Sequence, residues 1–179
     1  MSQISYRSIP RFTDSGTYRV NIPWCELEKW LSRNQEEFED RFEMDPDFQR
    51  SHVWTEVQQR RYVEYILREG QSSRIIYWNC VGWMRTFQGP MVLVDGKQRI
   101  TAVLKFLNNE LPIFDGHYRK DFKEPDPPFS GPDFVMHVNN LPTRAQVLQW
   151  YLDLNEGGTV HTESELSHVR ELLAAEPTP

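Results

Sequence analysis

Cysteine is scarce in this sequence, which contains only Cys25 and Cys80 among 179 residues. Two isolated cysteines do not make a disulfide framework, and we expect both to be free, buried thiols. Neither the cysteines nor the five histidines have the spacing of zinc ligands, so we do not expect a zinc site. No apolar run approaches the roughly 18 residues of a transmembrane helix. No basic and apolar secretory signal opens the chain, and we expect a cytoplasmic protein.

An excess of basic residues is also missing. The formal net charge is −6, which argues against a general nucleic-acid binder. The charges are nevertheless unevenly distributed. Residues 26–47 contain nine acidic and three basic side chains, whereas residues 50–105 contain nine basic and four acidic ones. The basic region is either a set of solvated helix faces or a local anion-binding site on an acidic protein, and composition alone supports both interpretations.

The length and the apolar content of the chain fit one folded domain. Hydrophobic residues make up 39% and aromatic residues 13%, which excludes disorder of the whole chain. Apolar periodicity predicts an α+β fold, with an arm at residues 1–23, a domain at residues 24–173 and a frayed tail at residues 174–179. The predicted helices cover 24–34, 55–69 and 98–109, and two more begin at Thr143 and Thr162. The predicted strands cover 75–79, 91–94 and 134–138, and a further short strand follows Phe38 and ends at 45–46. A loop is predicted at 115–133.

The segment from Met91 to Thr101 carries the strongest local signal. An apolar strand ends at Asp95, Gly96 follows, and a helix begins at once. The first amides of that helix are free and its dipole is positive at this end, which favours a bound phosphate group. Lys97 and Arg99 add two cations, and the carboxylate of Asp95 suits a magnesium ion or an acceptor hydroxyl. The spacing of a P-loop is absent, and a purely structural turn is the alternative.

Residues 45–54 form a second polar segment. Two carboxylates, an amide, a guanidinium and an imidazole lie within eight residues, and Asp47, Gln49 and Arg50 are among them. A capped surface loop with two aromatic anchors is the alternative interpretation. Because each of the two segments is an incomplete site by itself, we expect them to lie on adjacent elements and to face one cleft.

A third segment, residues 154–162, joins the last two predicted helices. It contains Asn155, two consecutive glycines and His161. The glycines allow unusual backbone dihedral angles, so the segment can bring polar groups towards a site. An ordinary helix–helix connection is the alternative.

Together the three segments, DPDFQRSHVW, VLVDGKQRITAV and LNEGGTVHTESEL, resemble the N-terminal domain of GmrSD-type restriction enzymes. The resemblance runs from about Trp24 to Leu172. It implies a small ParB/sulfiredoxin-like fold, binding of a nucleoside triphosphate, and phosphoryl chemistry linked to DNA. The family commonly has glutamine where this chain has Lys97, and the extra cation strengthens a phosphate contact. GmrSD-type enzymes also attach a nuclease domain, for which we expect no room here; stand-alone domains of this type resemble small phage-borne proteins.

The resemblance and the residues lead us to expect a phosphotransferase that uses ATP or GTP with Mg²⁺, with a hydroxymethylated base in DNA as one acceptor. The alternatives are a nucleotide hydrolase and a non-catalytic module that binds DNA or a protein of a restriction or anti-restriction system. Direct DNA cleavage is a third option, against which the lack of a His/Asp metal cluster in the sequence counts. We expect a magnesium ion at Asp95. The expected catalytic residues are Asp95, Asp47 and His161, and the expected nucleotide-binding residues are Gln49, Arg50, Gly96, Lys97, Gln98, Arg99, Thr101 and Asn155.

Overall fold

The computed structural model describes residues 18–49, 54–83, 86–87, 89–123, 131–156 and 163–176. Within them the chain forms a single α+β domain with a five-stranded mixed sheet and five α-helices, which confirms the predicted fold class. The strands are β1 (Tyr18–Pro23), β2 (Phe42–Glu43), β3 (Ile75–Cys80), β4 (Met91–Asp95) and β5 (Asp133–Asn139); the helices are α1 (Leu27–Phe38), α2 (Glu56–Leu67), α3 (Lys97–Leu107), α4 (Arg144–Glu156) and α5 (Glu163–Ala175).

The strands lie in the order β1-β5-β3-β4-β2. β5 is antiparallel to β1 and parallel to β3, β4 is antiparallel to β3, and β2 is parallel to β4. Because β2 and β4 run parallel, their carboxyl ends meet at the same edge of the sheet. The two polar segments of the sequence follow these two strands, and the topology therefore brings them together.

One face of the sheet packs against α1, α2 and α3. Trp78 of β3 is fully buried there, stacks on Phe42 at 5.3 Å between ring centroids, and meets Trp30 edge-on at 5.4 Å. Burial of one such large side chain stabilises the fold by about 1.5–3 kcal/mol. This face carries most of the core, and it holds α3 against β3 and β4.

The opposite face of the sheet packs against α4, which α5 covers in turn. Tyr77 of β3 and His137 of β5 lie beneath Trp150 of α4. Phe48, which follows β2, is buried against Tyr151 at 5.3 Å between ring centroids. Phe48, one of the two aromatic residues of the second polar segment, is thus an anchor, as the interpretation of this segment as a capped surface loop expects.

Two predicted boundaries are wrong at the start of the domain. Residues 24–26 form a 3₁₀ turn and the α-helix begins only at Leu27; the amide of Trp24 donates to the carbonyl of Pro132 at 2.8 Å. The helix then continues to Phe38, which the sequence assigned to the approach of a strand. Phe38 is buried on the same face of the helix as Leu27, about three turns later, so tertiary packing extends the helix to Glu39, which adopts a positive φ of 53°.

Other predicted elements are confirmed. Thr55 and Gln58 form the reciprocal capping box that starts α2, with the amide of Thr55 donating to Gln58 at 2.8 Å. Neither Cys25 nor Cys80 forms a disulfide; Cys80 is buried in β3 as expected, whereas Cys25 is exposed, which corrects the expectation of a buried thiol there. β1 lies in the stretch expected as an arm and forms an edge strand of the sheet. None of the described helices is both long and apolar enough to cross a membrane.

Candidate functional site

The turn between β4 and α3 is built on Gly96. Its φ is 118°, a conformation that residues with a side chain rarely adopt, and a Cβ here would lie 2.6 Å from the side chain of Ile76. Gly96 is the N-cap of α3 and has no side chain with which to cap it. The first amides of a helix have no partner within the helix, which is why the sequence predicts an anion site here.

Lys97, the first residue of α3, makes an ion pair with Asp45. The lysine side chain is only 16% exposed, whereas that of Asp45 is 69% exposed. The cation is therefore fixed against the protein by its aliphatic stem, and its partner carboxylate lies on the surface.

Arg99 lies two residues further along α3 and holds two neighbouring strands. One end of its guanidinium pairs with the carboxylate of Asp95, and Nη1 donates to the carbonyl of Ile75 at 2.8 Å. Asp95 is thereby fixed at the carboxyl end of β4, with its side chain 37% exposed. Arg99 is largely buried, so its contacts position Asp95 as well as supplying charge.

Amide side chains also join the two polar segments. The side chain of Gln49 donates to the carbonyl of Leu93 in β4. Leu93 directly follows Val92, the last residue of β4 that pairs with β2. Gln98 accepts a hydrogen bond of 3.0 Å from the amide of Trp54, where the second segment ends. Together with the Lys97 ion pair, these contacts confirm that the two segments lie on adjacent elements.

Asp47 has a partner that the sequence did not reveal. Both of its oxygens accept from Nη2 of Arg144, at 2.7 and 2.8 Å, and Nε of Arg144 pairs with Glu176 at 3.0 Å. The hydrogen bonds to Asp47 raise the pKa of the Arg144 guanidinium above its usual value. Arg144 is 97 residues from Asp47 in the chain. No local signal marks such a pair.

The remaining predicted site residues divide into two groups. The side chains of Thr101 and Asn155 hydrogen-bond within their own helices, to the carbonyls of Lys97 at 2.8 Å and of Tyr151 at 2.6 Å. Arg50 and His161 lie outside the described residues. The roles expected of these four side chains therefore stay predictions.

Carboxylates are spread over the site and do not form one cluster. Among the residues that the structure describes, no group of three or more His, Cys, Asp or Glu side chains is placed to hold a metal ion. Asp45, Asp47 and Asp95 each pair with a different cation. A metal held at this site would therefore take one or two ligands from the described residues and the rest from elsewhere, such as substrate or water.

Comparison with known proteins supplies the family. Residues 27–168 match the model of the GmrSD restriction endonuclease N-terminal domain. The chain belongs to this family. No curated protein and no solved structure matches the chain.

Membership of the GmrSD family implies a role in a restriction system and points to interaction with DNA. The match covers both polar segments, and it leaves out β1, which nevertheless completes the sheet of this GmrSD-type domain by pairing with β5. The region that the family shares thus contains the glycine turn, Lys97, Arg99 and all three of the paired carboxylates.

Proposed function

We propose that this GmrSD-type domain binds ATP or GTP at the N-terminus of α3 and transfers the γ-phosphoryl group to a hydroxyl of DNA, such as that of a hydroxymethylated base. The observation that supports the proposal is the glycine N-cap of α3 with Lys97 and Arg99 beside it. A glycine turn at the positive end of a helix, with two cations at the same turn, has the features that bind phosphate groups.

Each cation of the site is paired with a carboxylate, and in one of these ion pairs a phosphate group can replace the carboxylate. The Asp45 side chain is 69% exposed, so it returns to water at little cost when a phosphate displaces it from Lys97. Lys97 keeps its place meanwhile, because its stem is packed against the protein. Arg99 is expected to keep its bonds to Asp95 and to Ile75, since it is largely buried.

The carboxylates fit a magnesium ion as well as an acceptor. Magnesium is usually held by one or two carboxylates together with substrate phosphates, and Asp95 and Asp45 lie next to the proposed phosphate site on partly or largely exposed side chains. When bound, the ion would neutralise part of the phosphate charge. Asp95 is the better positioned of the two, because Arg99 and the end of β4 hold it in place.

In the proposed reaction, the bond between the γ-phosphorus and the β–γ bridging oxygen breaks, and a bond forms between that phosphorus and the acceptor oxygen. The nucleoside diphosphate leaves, and the acceptor proton passes to a carboxylate and then to solvent. Positioning and charge neutralisation supply most of the catalysis in such reactions. We assign positioning of the acceptor to Asp95. Asp47 receives a supporting role, because Arg144 occupies both of its oxygens.

The exposure of the carboxylates favours a large acceptor. The side chains of Asp45 and Asp47 are more than half exposed, so the described part of the site is open at the surface, where a DNA strand can approach it. Water is the competing acceptor, and its use would make the domain a nucleotide hydrolase.

Incubation with γ-labelled ATP or GTP tests the proposal. The reactions contain plain or hydroxymethylated DNA, in single-stranded and duplex form, with Mg²⁺. Label on hydroxymethylated DNA is the expected result, and free phosphate without labelled DNA identifies a hydrolase. Lys97→Ala should lower either activity roughly tenfold or more when nucleotide is subsaturating, whereas Lys105→Ala, at the other end of the same helix, is the matched control.

A non-catalytic binding module is the second candidate, and the ion pairs favour it. Lys97, Arg99 and Arg144 each hold a carboxylate, which is also what a purely structural connection between β2, α3 and α4 requires. If neither nucleotide yields labelled DNA or free phosphate, this candidate replaces the enzyme.

A further inference from the structure

A cavity of about 300 Å³ lies at the carboxyl end of α3. Its volume is at the lower end of the range for small-molecule sites. An 11-residue helix is about 15 Å long, so this cavity is distinct from the phosphate site at the other end of α3. Its walls are mainly apolar, and the aromatic ones come from three parts of the chain: Trp24, Phe106, Phe114 and Phe122.

Among the described residues, the charged side chains that line the cavity have one sign. Arg119 and Lys123 line it, and none of the described residues that line it is acidic. Lys123 is exposed, so its ammonium group is accessible to a ligand from solvent. Apolar aromatic walls with cations beside them match a molecule that has an apolar ring system and one anionic group.

We propose that this cavity binds a small aromatic molecule carrying one acidic group. The rings would pack between Phe106, Phe114 and Trp24, and the acid would face Lys123 and Arg119. Phe106 is buried as part of the main core, and Phe114 packs against that core, so these walls are held by the fold. The volume restricts the ligand to a small molecule.

The first test uses 8-anilinonaphthalene-1-sulfonate, an aromatic sulfonate whose fluorescence rises in apolar surroundings. Lys123→Gln should weaken its binding about two- to fivefold, the effect of losing one exposed ion pair. Lys120→Gln is the matched control, because Lys120 lies in the same segment and does not line the cavity. N-phenyl-1-naphthylamine, which lacks the sulfonate, should bind both variants equally. If Lys123→Gln and Lys120→Gln weaken binding of the sulfonate equally, the proposal is overturned.

The second test locates the probe by means of Cys25, an exposed thiol that lines the cavity. Cys80 is an internal reference, because it is buried and burial raises the pKa of its thiol to about 12. In the native protein a thiol reagent should label Cys25 first, and the sulfonate should slow that labelling. If the sulfonate leaves the labelling rate of Cys25 unchanged, the cavity does not bind such a ligand and the proposal is wrong.

Discussion

Lys97, at the start of α3, donates to the carboxylate of Asp45, which follows β2 and lies 52 residues earlier in the chain. This ion pair joins the two polar segments that the sequence marks separately. It exists because β2 and β4 are parallel neighbours, so that their carboxyl ends meet at one edge of the sheet. The proposed phosphate site depends on this relationship more than on either segment alone.

Replacement of Lys97 by alanine should weaken nucleotide binding without unfolding the domain. Loss of a charged hydrogen bond to phosphate costs about 1.5–3 kcal/mol, or roughly tenfold or more in affinity. The free energy of unfolding should fall by less than about 1 kcal/mol, because Asp45 is largely exposed. Thermal melting of Lys97→Ala and of the control Lys105→Ala, with and without nucleotide, measures both effects. A ligand-induced shift as large as that of the control would remove Lys97 from the site.

The variants Asp95→Asn and Asp47→Asn should behave differently. Asp95→Asn should lower phosphoryl transfer about 100-fold or more, the usual contribution of a catalytic acid or base, while nucleotide binding survives in part because Lys97 and the helix amides remain. Asp47→Asn should lower it only a few-fold, since Arg144 occupies that carboxylate. Turnover and nucleotide affinity of both variants check the order. Full activity of Asp95→Asn would make this carboxylate only a partner of Arg99 and would transfer the catalytic role to Asp47 or His161.

The bidentate pair of Asp47 and Arg144 should contribute little to stability. Both side chains are substantially exposed, so a double-mutant cycle with Asp47→Asn and Arg144→Gln should give a coupling free energy of about 0.2–1 kcal/mol. Urea unfolding of the two single variants and the double variant provides the cycle. A coupling of several kcal/mol would mean that the pair is shielded from water in solution.

Gly96 should tolerate alanine less well than Gly116 does. Both glycines have a positive φ, 118° and 105°, so both substitutions strain the backbone by about 1–3 kcal/mol. At Gly96 the new Cβ also meets Ile76, whereas nothing lies within 4 Å of it at Gly116. The difference between the two unfolding free energies isolates the contact with β3. Equal destabilisation would show that Ile76 moves aside.

His137 should make stability depend on pH. It is 7% exposed, neither ring nitrogen has a hydrogen-bond partner among the described residues, and burial lowers the pKa of the imidazole below its ordinary value of 6.5. Below pH 6.5 the imidazole is therefore protonated in the unfolded chain but stays neutral in the native state. The free energy of unfolding decreases as pH falls below about 6.5, by up to about 1.4 kcal/mol per pH unit.

Urea unfolding between pH 5 and 8 measures this dependence, and its slope should correspond to roughly one proton. His137→Leu should flatten the part that lies below the ordinary histidine pKa, and His168→Gln, an exposed position on α5, is the control. A slope in His137→Leu equal to that of the native protein would assign the effect to another group.

The sequence by itself determined the local structure around the site. The apolar run before Asp95 and the glycine after it define a strand, a turn and a helix, because backbone sterics and periodicity are local properties. Thr55 and Gln58 mark the start of α2 in the same way, since a capping box forms between residues three apart. The matching segments also placed the chain in its family, and the comparison with known proteins agrees.

Tertiary structure alone decided which of these groups meet. The pairing of Asp47 with Arg144, the anchoring of Phe48 on Tyr151 and the burial of His137 beneath Trp150 join residues far apart in the chain, and the strand order that creates them leaves no local pattern. The extension of α1 to Phe38 has the same cause, because packing against the sheet, and not helix propensity, sets where that helix ends. The sequence therefore predicts the local structure and the chemical groups of each segment, whereas the order of the strands determines which charged side chains pair.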